Sequence, residues 1–145
     1  MRQILTPAGP APYKRLTHRS RRQPKAYPAC PLSADERARA FVDDQVELLR
    51  KRDVDALLER HYHPDALLVT QQVSVRGHIA LRAYFTQYVA ALGDFEVNSI
   101  DLLSATEDAF LFEATVTSSL GRARVYDAFV LRDGRATHHF AGVIG

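Results

Sequence analysis

The sequence contains a single cysteine, Cys30, so it can form neither an intrachain disulfide nor a multi-cysteine metal site. It lacks any run of about 18 apolar residues, so we expect no helix that spans a membrane. Its start has no apolar run of the kind that a signal peptide needs. No phosphate-binding glycine loop, dinucleotide fingerprint or Ser–His–Asp arrangement occurs in it. We therefore expect a cytoplasmic protein without a cofactor or a metal.

Acidic residues are missing from the first part of the chain, although the formal net charge of the whole is only +2. Residues 1–34 carry seven Lys or Arg and no Asp or Glu, whereas the remainder carries twelve bases and all seventeen acids. The larger part is therefore acidic, which disfavours nucleic-acid binding by it.

Six of the seven prolines fall within residues 1–32, where no helical or strand period is visible. We therefore predict a disordered basic extension over residues 1–32 and a single domain over residues 33–145. The extension could be an arm for an anionic partner or a transit-like peptide, since it is acid-free and contains arginine. We favour the alternative of an unstructured or over-long N-terminus, because prolines disrupt an amphipathic helix.

The first half of the predicted domain has the apolar period of helices. The segment Ser-Ala-Asp-Glu at 33–36 has the form of a capping box and predicts a helix that continues to about residue 51. Asp53 can cap a second, shorter helix, which Pro64 ends before a short strand at 66–70. A third helix is predicted from about Gly77 to Leu92.

After Gly93 the apolar period changes to two, which is typical of strands. Hairpin turns are predicted at Leu120-Gly121 and at Asp133-Gly134. Four strands are predicted, at residues 95–103, 109–118, 123–132 and 136–144. Helices followed by an antiparallel sheet predict an α+β domain. We expect a cone-shaped curved antiparallel sheet wrapped around the N-terminal helices, enclosing a pocket where the first and third helices face the concave side of the sheet.

Asp127 is the only polar residue on one face of a predicted strand, which it shares with Val125, Phe129 and Leu131. A carboxylate on a face that points to the core is costly unless it is paired, protonated or next to a wet cavity. Burial disfavours the charged form, and a neutral aspartic acid can donate to a developing enolate or act as a general acid. Alternatively, a Tyr, Gln or His in the core satisfies a purely structural Asp127.

His138 and His139 are neighbours on the last predicted strand, so one points inward and the other outward. A two-residue loop at the preceding turn would place His138 on the face of Asp127. A three-residue loop with a glycine bulge would pair His139 with Asp127 instead. An inward histidine beside Asp127 would form an acid–base pair, whereas the alternative is a solvated pair of histidines at a sheet edge.

Three further polar residues fall on the apolar stripes of the predicted helices: Gln45, Tyr84 and Tyr88. Gln45 needs partners if it is buried, and could bind a substrate carbonyl or hold Asp127. The tyrosines could line a pocket or belong to the core. The segment His61-Tyr62-His63 could suggest a metal site, but residues at i and i+2 of a helix do not share a face.

The predicted order of elements resembles the nuclear transport factor 2-like superfamily, particularly its SnoaL-like and ketosteroid isomerase-like members, over roughly residues 35–145. The resemblance rests on this order and on three short segments, namely Arg76-Gly77 before the third helix, Asp127-Ala128-Phe129, and Arg132-Asp133-Gly134-Arg135. Its members include isomerases, cyclases, dehydratases, epoxide hydrolases and noncatalytic domains.

The resemblance to ketosteroid isomerases places their oxyanion-binding aspartate on Asp127. Their oxyanion tyrosine falls near Gln45 and their general-base aspartate near Thr70, so steroid isomerisation by that mechanism is not expected. The resemblance to the limonene epoxide hydrolase branch places one of the two acids of that branch on Asp127. The second acid, on the last strand, falls near Ala141. The resemblance also favours His139 as the inward histidine.

Two functional hypotheses follow. The first is a cofactor-free isomerase, cyclase or dehydratase with a small, apolar, carbonyl-bearing or polyketide-like substrate. The second is a noncatalytic ligand-binding or dimeric interaction module. The resemblance implies a homodimer through the outer sheet face, at Tyr126, Val130 and Thr115. The candidate residues are the catalytic Asp127, His139 and His138, and the substrate-binding Gln45, Tyr84, Tyr88, Thr70, Phe112 and Phe129.

Overall fold

The computed structural model describes residues 32–144, which form three helices and six strands. The helices are α1 (Ala34–Lys51), α2 (Val54–His61) and α3 (His78–Leu92). The strands are β1 (Tyr62–Thr70), β2 (Ser74–Arg76), β3 (Glu96–Ala105), β4 (Ala109–Ser118), β5 (Gly121–Arg132) and β6 (Arg135–Ile144). The predicted disordered extension lies outside the described residues, apart from Leu32. Within residues 32–144, the helices are too short or too polar to cross a membrane.

Helix α1 begins at the predicted capping box. The Ser33 hydroxyl accepts a hydrogen bond from the Glu36 backbone at 3.1 Å, and the Glu36 carboxylate accepts one from the Ser33 backbone at 2.9 Å. These two bonds satisfy amide groups that have no partner within the helix. The helix ends at Arg52, whose φ of 58° is left-handed. Its buried face consists of Ala38, Phe41, Val42, Gln45 and Leu48.

The strands form one sheet in the order β2-β1-β6-β5-β4-β3. Strands β3 to β6 are the predicted antiparallel meander, and β1 joins it by pairing in parallel with β6. The α+β class and the curved, mostly antiparallel sheet are confirmed. The strand β2 was not predicted, because three residues are too few to show a period.

Strand β1 begins at Tyr62, four residues earlier than the predicted strand at 66–70. Its register against β6 shifts between Tyr62 and Leu67, so the residues between them bulge out of the ladder. Pro64 lies in this bulge, where its missing N–H breaks no hydrogen bond of the ladder. The proline therefore ends the regular pairing without ending the strand.

The core on the helix-covered face of the sheet is rich in phenylalanine. The Phe41 ring of α1 lies 5.3 Å from the ring of Phe110 and 5.0 Å from that of Phe129. Phe110 and Phe129 are 4.9 Å apart, and Phe110 stacks on Phe112 at 6.5 Å. Aromatic rings at these separations pack α1 firmly onto β4 and β5.

A β-bulge at Thr137 decides which histidine of β6 faces the helices. The Asp133-Gly134 turn has two residues, both with positive φ, and Arg132 pairs with Arg135. Leu131 then pairs with Ala136 but Val130 with His138, so Thr137 is the extra residue. His139 therefore points inward although the loop has two residues, and the expectation that such a loop turns His138 inward was wrong.

The other hairpin differs from its prediction by one residue. Ser118 pairs with Gly121, so Ser119 and Leu120 form the turn and Gly121 already belongs to β5. Gly121 has a φ of 112°, which suits glycine at the first position after the turn.

Gly142 of β6 provides a test of close packing on the outer face. A Cβ at this position would lie 2.6 Å from a ring carbon of Tyr126, its neighbour on β5. We expect Gly142→Ala to lower the free energy of unfolding by about 1–3 kcal/mol, because the ring must move. Urea denaturation measures this change. In a Tyr126→Ala background the added effect of Gly142→Ala should be much smaller, and additive effects would contradict the packing argument.

Candidate functional site

Four polar side chains form one chain of hydrogen bonds on the helix-covered face of the sheet. Gln45 Nε2 lies 3.0 Å from the Tyr62 hydroxyl, and that hydroxyl lies 2.8 Å from His139 Nδ1. His139 Nε2 in turn lies 2.7 Å from Asp127 Oδ1. We call Gln45, Tyr62, His139 and Asp127 the polar relay.

Each member of the polar relay is supplied by a different element. Gln45 lies on the buried face of α1, and Tyr62 is the first residue of β1, directly after α2. His139 on β6 pairs with Phe129, whereas Asp127 on β5 pairs with Ala141. His139 and Asp127 are therefore diagonal neighbours on one face of an antiparallel pair, close enough for a long side chain to reach a short one.

The polar relay runs from the dry core to a carboxylate that solvent can reach. Gln45, Tyr62 and His139 are buried, whereas 22% of the Asp127 side chain is exposed. Asp127 Oδ1 accepts the bond from His139, and within residues 32–144 Oδ2 has no hydrogen-bond partner. This oxygen can therefore accept a further hydrogen bond.

The buried members of the polar relay are held by aromatic packing. The His139 ring stacks on Phe129 with 4.0 Å between the ring centres. The Tyr62 ring lies 5.6 Å from that of Phe85 on α3. Because both rings are enclosed, their polar atoms must find partners within the protein, and the polar relay supplies them.

Tyr84 and Tyr88 of α3 lie near the accessible end of the polar relay. Their rings stack at 5.8 Å, and Tyr88 is 38% exposed. Burial raises the pKa of both hydroxyls, and the negative charge of Asp127 raises each further. Both phenols therefore remain protonated at neutral pH and can donate hydrogen bonds.

Two open grooves on the described part of the chain lie away from the polar relay. One groove of about 500 Å³ runs along α1 between Asp35 and Asp43, beside Leu103. Another of about 460 Å³ lies between the start of α2 and the last turns of α3. Neither includes Asp127, so the interior pocket expected from the sequence is still a proposal.

The family model of the SnoaL-like domain matches residues 39–139, a range that contains the whole polar relay. The chain belongs to this family. A comparison with curated proteins finds no match.

Solved structures with the same fold as this SnoaL-like domain share little sequence with it. A nuclear transport factor 2-like protein from Anabaena variabilis has a TM-score of 0.67 at 15% identity, over 76% of this chain and 88% of that one. A provisionally named ketosteroid isomerase from Kribbella flavida has a TM-score of 0.63 at 16% identity, over 77% and 82%. A provisionally named polyketide cyclase from Sinorhizobium meliloti has a TM-score of 0.61 at 19% identity, over 70% and 93%. These likenesses show the fold.

The structure of the SnoaL-like domain brings most of the predicted site residues together. Gln45, His139 and Asp127 belong to the polar relay. Phe112 pairs with Asp127 across the sheet, and Phe129 pairs with His139. Tyr84 and Tyr88 lie close enough for the charge of Asp127 to affect them.

Two predicted residues are engaged elsewhere. His138 faces outward, where Nδ1 lies 3.0 Å from the Thr137 hydroxyl and the ring stacks on Phe140. The Thr70 hydroxyl accepts a hydrogen bond from the backbone of Val73 at 3.0 Å and so shapes the β1–β2 turn. Thr70 therefore serves the turn, although it lies in the same cross-strand row as Asp127.

Tyr62 is the site residue that sequence reasoning missed. It stands between two histidines and before a proline, at the point where a helix gives way to a strand, so no period indicates its direction. The one signal that could have found it is Gln45, because a buried amide on a helix stripe requires a partner.

The histidines beside Tyr62 have separate structural roles. His61 Nε2 lies 2.7 Å from Asp44, which also accepts from Arg60 and so ties α1 to α2. His63 Nε2 lies 2.6 Å from the Arg132 carbonyl. No group of three His, Cys, Asp or Glu side chains in residues 32–144 is arranged to hold a metal ion.

The buried His61 generates a prediction about pH. Burial lowers the pKa of His61, although Asp44 partly opposes this, so the unfolded chain takes up this proton more readily. The stability that neutral His61 contributes is therefore complete above about pH 6.5 and is lost as the pH falls. Relative to His61→Gln, which retains a donor for Asp44, the wild type should lose at most about 1.4 kcal/mol per pH unit.

Denaturant unfolding of both proteins between pH 7.5 and pH 5 measures this difference. A difference that stays constant over the range would show that His61 does not titrate with unfolding.

Proposed function

We propose that this SnoaL-like domain is a cofactor-free acid–base enzyme. Its substrate would be a small, mostly apolar molecule with a carbonyl group, such as a polyketide-like compound, and its reaction an isomerisation, cyclisation or dehydration. The observation that carries the proposal is the contact of Asp127 with His139 at 2.7 Å, with one carboxylate oxygen left free. A positioned carboxylate and imidazole are the usual groups for proton transfer to and from carbon or oxygen.

The surroundings of Asp127 fit such a substrate. Phe112 is the cross-strand partner of Asp127 and the buried Phe129 stacks on His139, so the neighbours of the carboxylate within the sheet are apolar. Tyr84 and Tyr88 of α3 add protonated hydroxyls near it. In this proposal Gln45 supports the site from behind, because its amide is buried and donates to the Tyr62 hydroxyl.

The names of structural relatives are compatible with this proposal. One relative is provisionally named a polyketide cyclase and another a ketosteroid isomerase. Their low identity means that this support comes from fold alone, and the proposal depends on Asp127 and His139.

A second candidate function is a noncatalytic ligand-binding or dimeric interaction module. It is favoured by Thr70, whose hydroxyl is used in a turn and supplies no base at the end of β1. It is also favoured by the outer sheet face, where several large apolar side chains are exposed. These are Leu102, Leu111, Val130 and Phe140.

We propose that the outer sheet face forms a homodimer. Leu111, Ala128 and Phe140 are consecutive cross-strand neighbours, and Val130 lies beside them with 41% exposure. A continuous apolar row of this kind on a sheet is typical of a protein interface. Tyr126 and Thr115 occupy the same face, although Tyr126 packs on Gly142 and Thr115 donates to Asp101.

The enzymatic proposal predicts that Asp127→Asn lowers turnover by at least about 100-fold, because the amide can neither take nor give the proton. Turnover is measured on a panel of apolar ketones and polyketide-like compounds. Glu113→Gln is the matched control, since Glu113 is a carboxylate on the outer face of β4, bonded to Arg124. Unchanged turnover in Asp127→Asn would refute the catalytic role, and ligand binding without any turnover would favour the second candidate.

The dimer proposal predicts that Val130→Asp converts the protein to a monomer, because it places a charge within the apolar row. Sedimentation velocity measures the change in mass. Val143→Asp is the control, since Val143 is also an exposed valine, at 54%, but lies on the other side of β6. A wild-type monomer would contradict the proposal.

A further inference from the structure

We infer that Gln45 and Tyr62 are positioning residues that hold His139 in one neutral tautomer, with its proton on Nε2, so that Asp127 is the proton acceptor of the resting site. The inference rests on the proposed acid–base function and specifies the direction in which the first proton moves.

The direction follows from the donors and acceptors of the polar relay. The amide nitrogen of Gln45 can only donate, so the Tyr62 oxygen accepts at 3.0 Å. The single hydroxyl proton of Tyr62 then points to its other neighbour, His139 Nδ1, at 2.8 Å. Nδ1 therefore carries no proton, and Nε2 donates its own proton to Asp127 Oδ1 at 2.7 Å. All three bonds point toward the carboxylate.

The reverse direction would require a less favourable distribution of charge. If His139 Nδ1 donated to Tyr62, then either His139 would carry a positive charge or Asp127 would hold a proton. His139 is only 5% exposed in its side chain, so an added charge there would be poorly solvated. Water reaches the Asp127 side chain, which is 22% exposed, and can solvate its carboxylate.

Tyr62 is suited to act as a permanent donor. Burial, aided by the nearby charge of Asp127, raises its pKa well above the ordinary value, although the bond from Gln45 opposes this shift. Tyr62 therefore stays protonated at neutral pH and donates to His139 Nδ1. Because Nδ1 accepts this bond, it cannot act as the base of the site.

The consequence for catalysis is a defined first step. A C–H bond next to the substrate carbonyl breaks, its proton forms an O–H bond on Asp127 Oδ2, and the electron pair moves to the carbonyl oxygen as an enolate. Asp127 Oδ1 keeps the hydrogen bond from His139 throughout, so the carboxyl does not rotate. The same proton returns from Oδ2 to another atom of the substrate in the second step. Asp127 is thus first a base and then an acid.

Imidazole ¹⁵N NMR of the full chain without a ligand tests the inference. In the wild type, His139 should show an unprotonated Nδ1 and a protonated Nε2. In Tyr62→Phe the Nδ1 signal should move downfield, because Nδ1 loses the hydrogen bond that it accepts, while Nε2 stays protonated toward Asp127. His138 lies on the opposite face and is an internal control whose signals should not move. Tyr84→Phe, a matched loss of a hydroxyl, should keep the wild-type Nδ1 signal of His139.

A protonated Nδ1 in the wild type would overturn the inference, and so would an unmoved Nδ1 signal in Tyr62→Phe. If Tyr62→Phe fails to fold, Gln45→Met removes the preceding donor and should shift the same Nδ1 signal, while an unmoved signal in that variant would count against the role of Gln45. Because no ligand is present, these results do not depend on turnover. Failure of the enzymatic proposal in Asp127→Asn is therefore distinguishable from failure of this one.

Discussion

The hydrogen bond between the Tyr62 hydroxyl and His139 Nδ1 is the contact on which the candidate site depends. It lies where no water reaches, and a buried polar atom left without a partner costs about 1–3 kcal/mol. Without Tyr62, the amide nitrogen of Gln45 and Nδ1 of His139 would be buried polar atoms without a partner. With it, the Tyr62 hydroxyl accepts from the Gln45 amide of α1 and donates to the His139 imidazole of β6. Asp127 then receives a hydrogen bond from His139 Nε2 in a fixed direction.

Two histidine–aspartate pairs in the domain illustrate how the second nitrogen of the ring decides the role of a pair. His61 contacts Asp44 at 2.7 Å, the same distance as His139 to Asp127. Nδ1 of His61 is buried without a partner next to the Phe41 ring, so this pair ends in the apolar core and only joins two helices. Nδ1 of His139 continues into Tyr62 and Gln45, so the ring orientation and tautomer are held from behind.

The bulge at Thr137 connects this chemistry to the fold. One extra residue in β6 turns His139 toward the helices and leaves His138 and Phe140 on the outer face. The same displacement places the imidazole diagonally from Asp127, where Nε2 can reach the carboxylate. Bulges often change the direction of side chains next to functional sites, and here a single threonine has that effect.

The sequence by itself determined the helices, the meander and the inward position of Asp127, because these follow from local capping and from periods of 3.6 and 2 that neighbouring residues set. Only the tertiary structure decided which histidine meets Asp127, since a bulge inside a strand leaves no mark on the alternation of His138 and His139. It also decided that Tyr62 completes the site. Tyr62 and His139 are 77 residues apart, and their contact exists only because β1 pairs in parallel with the last strand. Long-range strand pairing depends on the whole sheet, so no local pattern in the chain contains it.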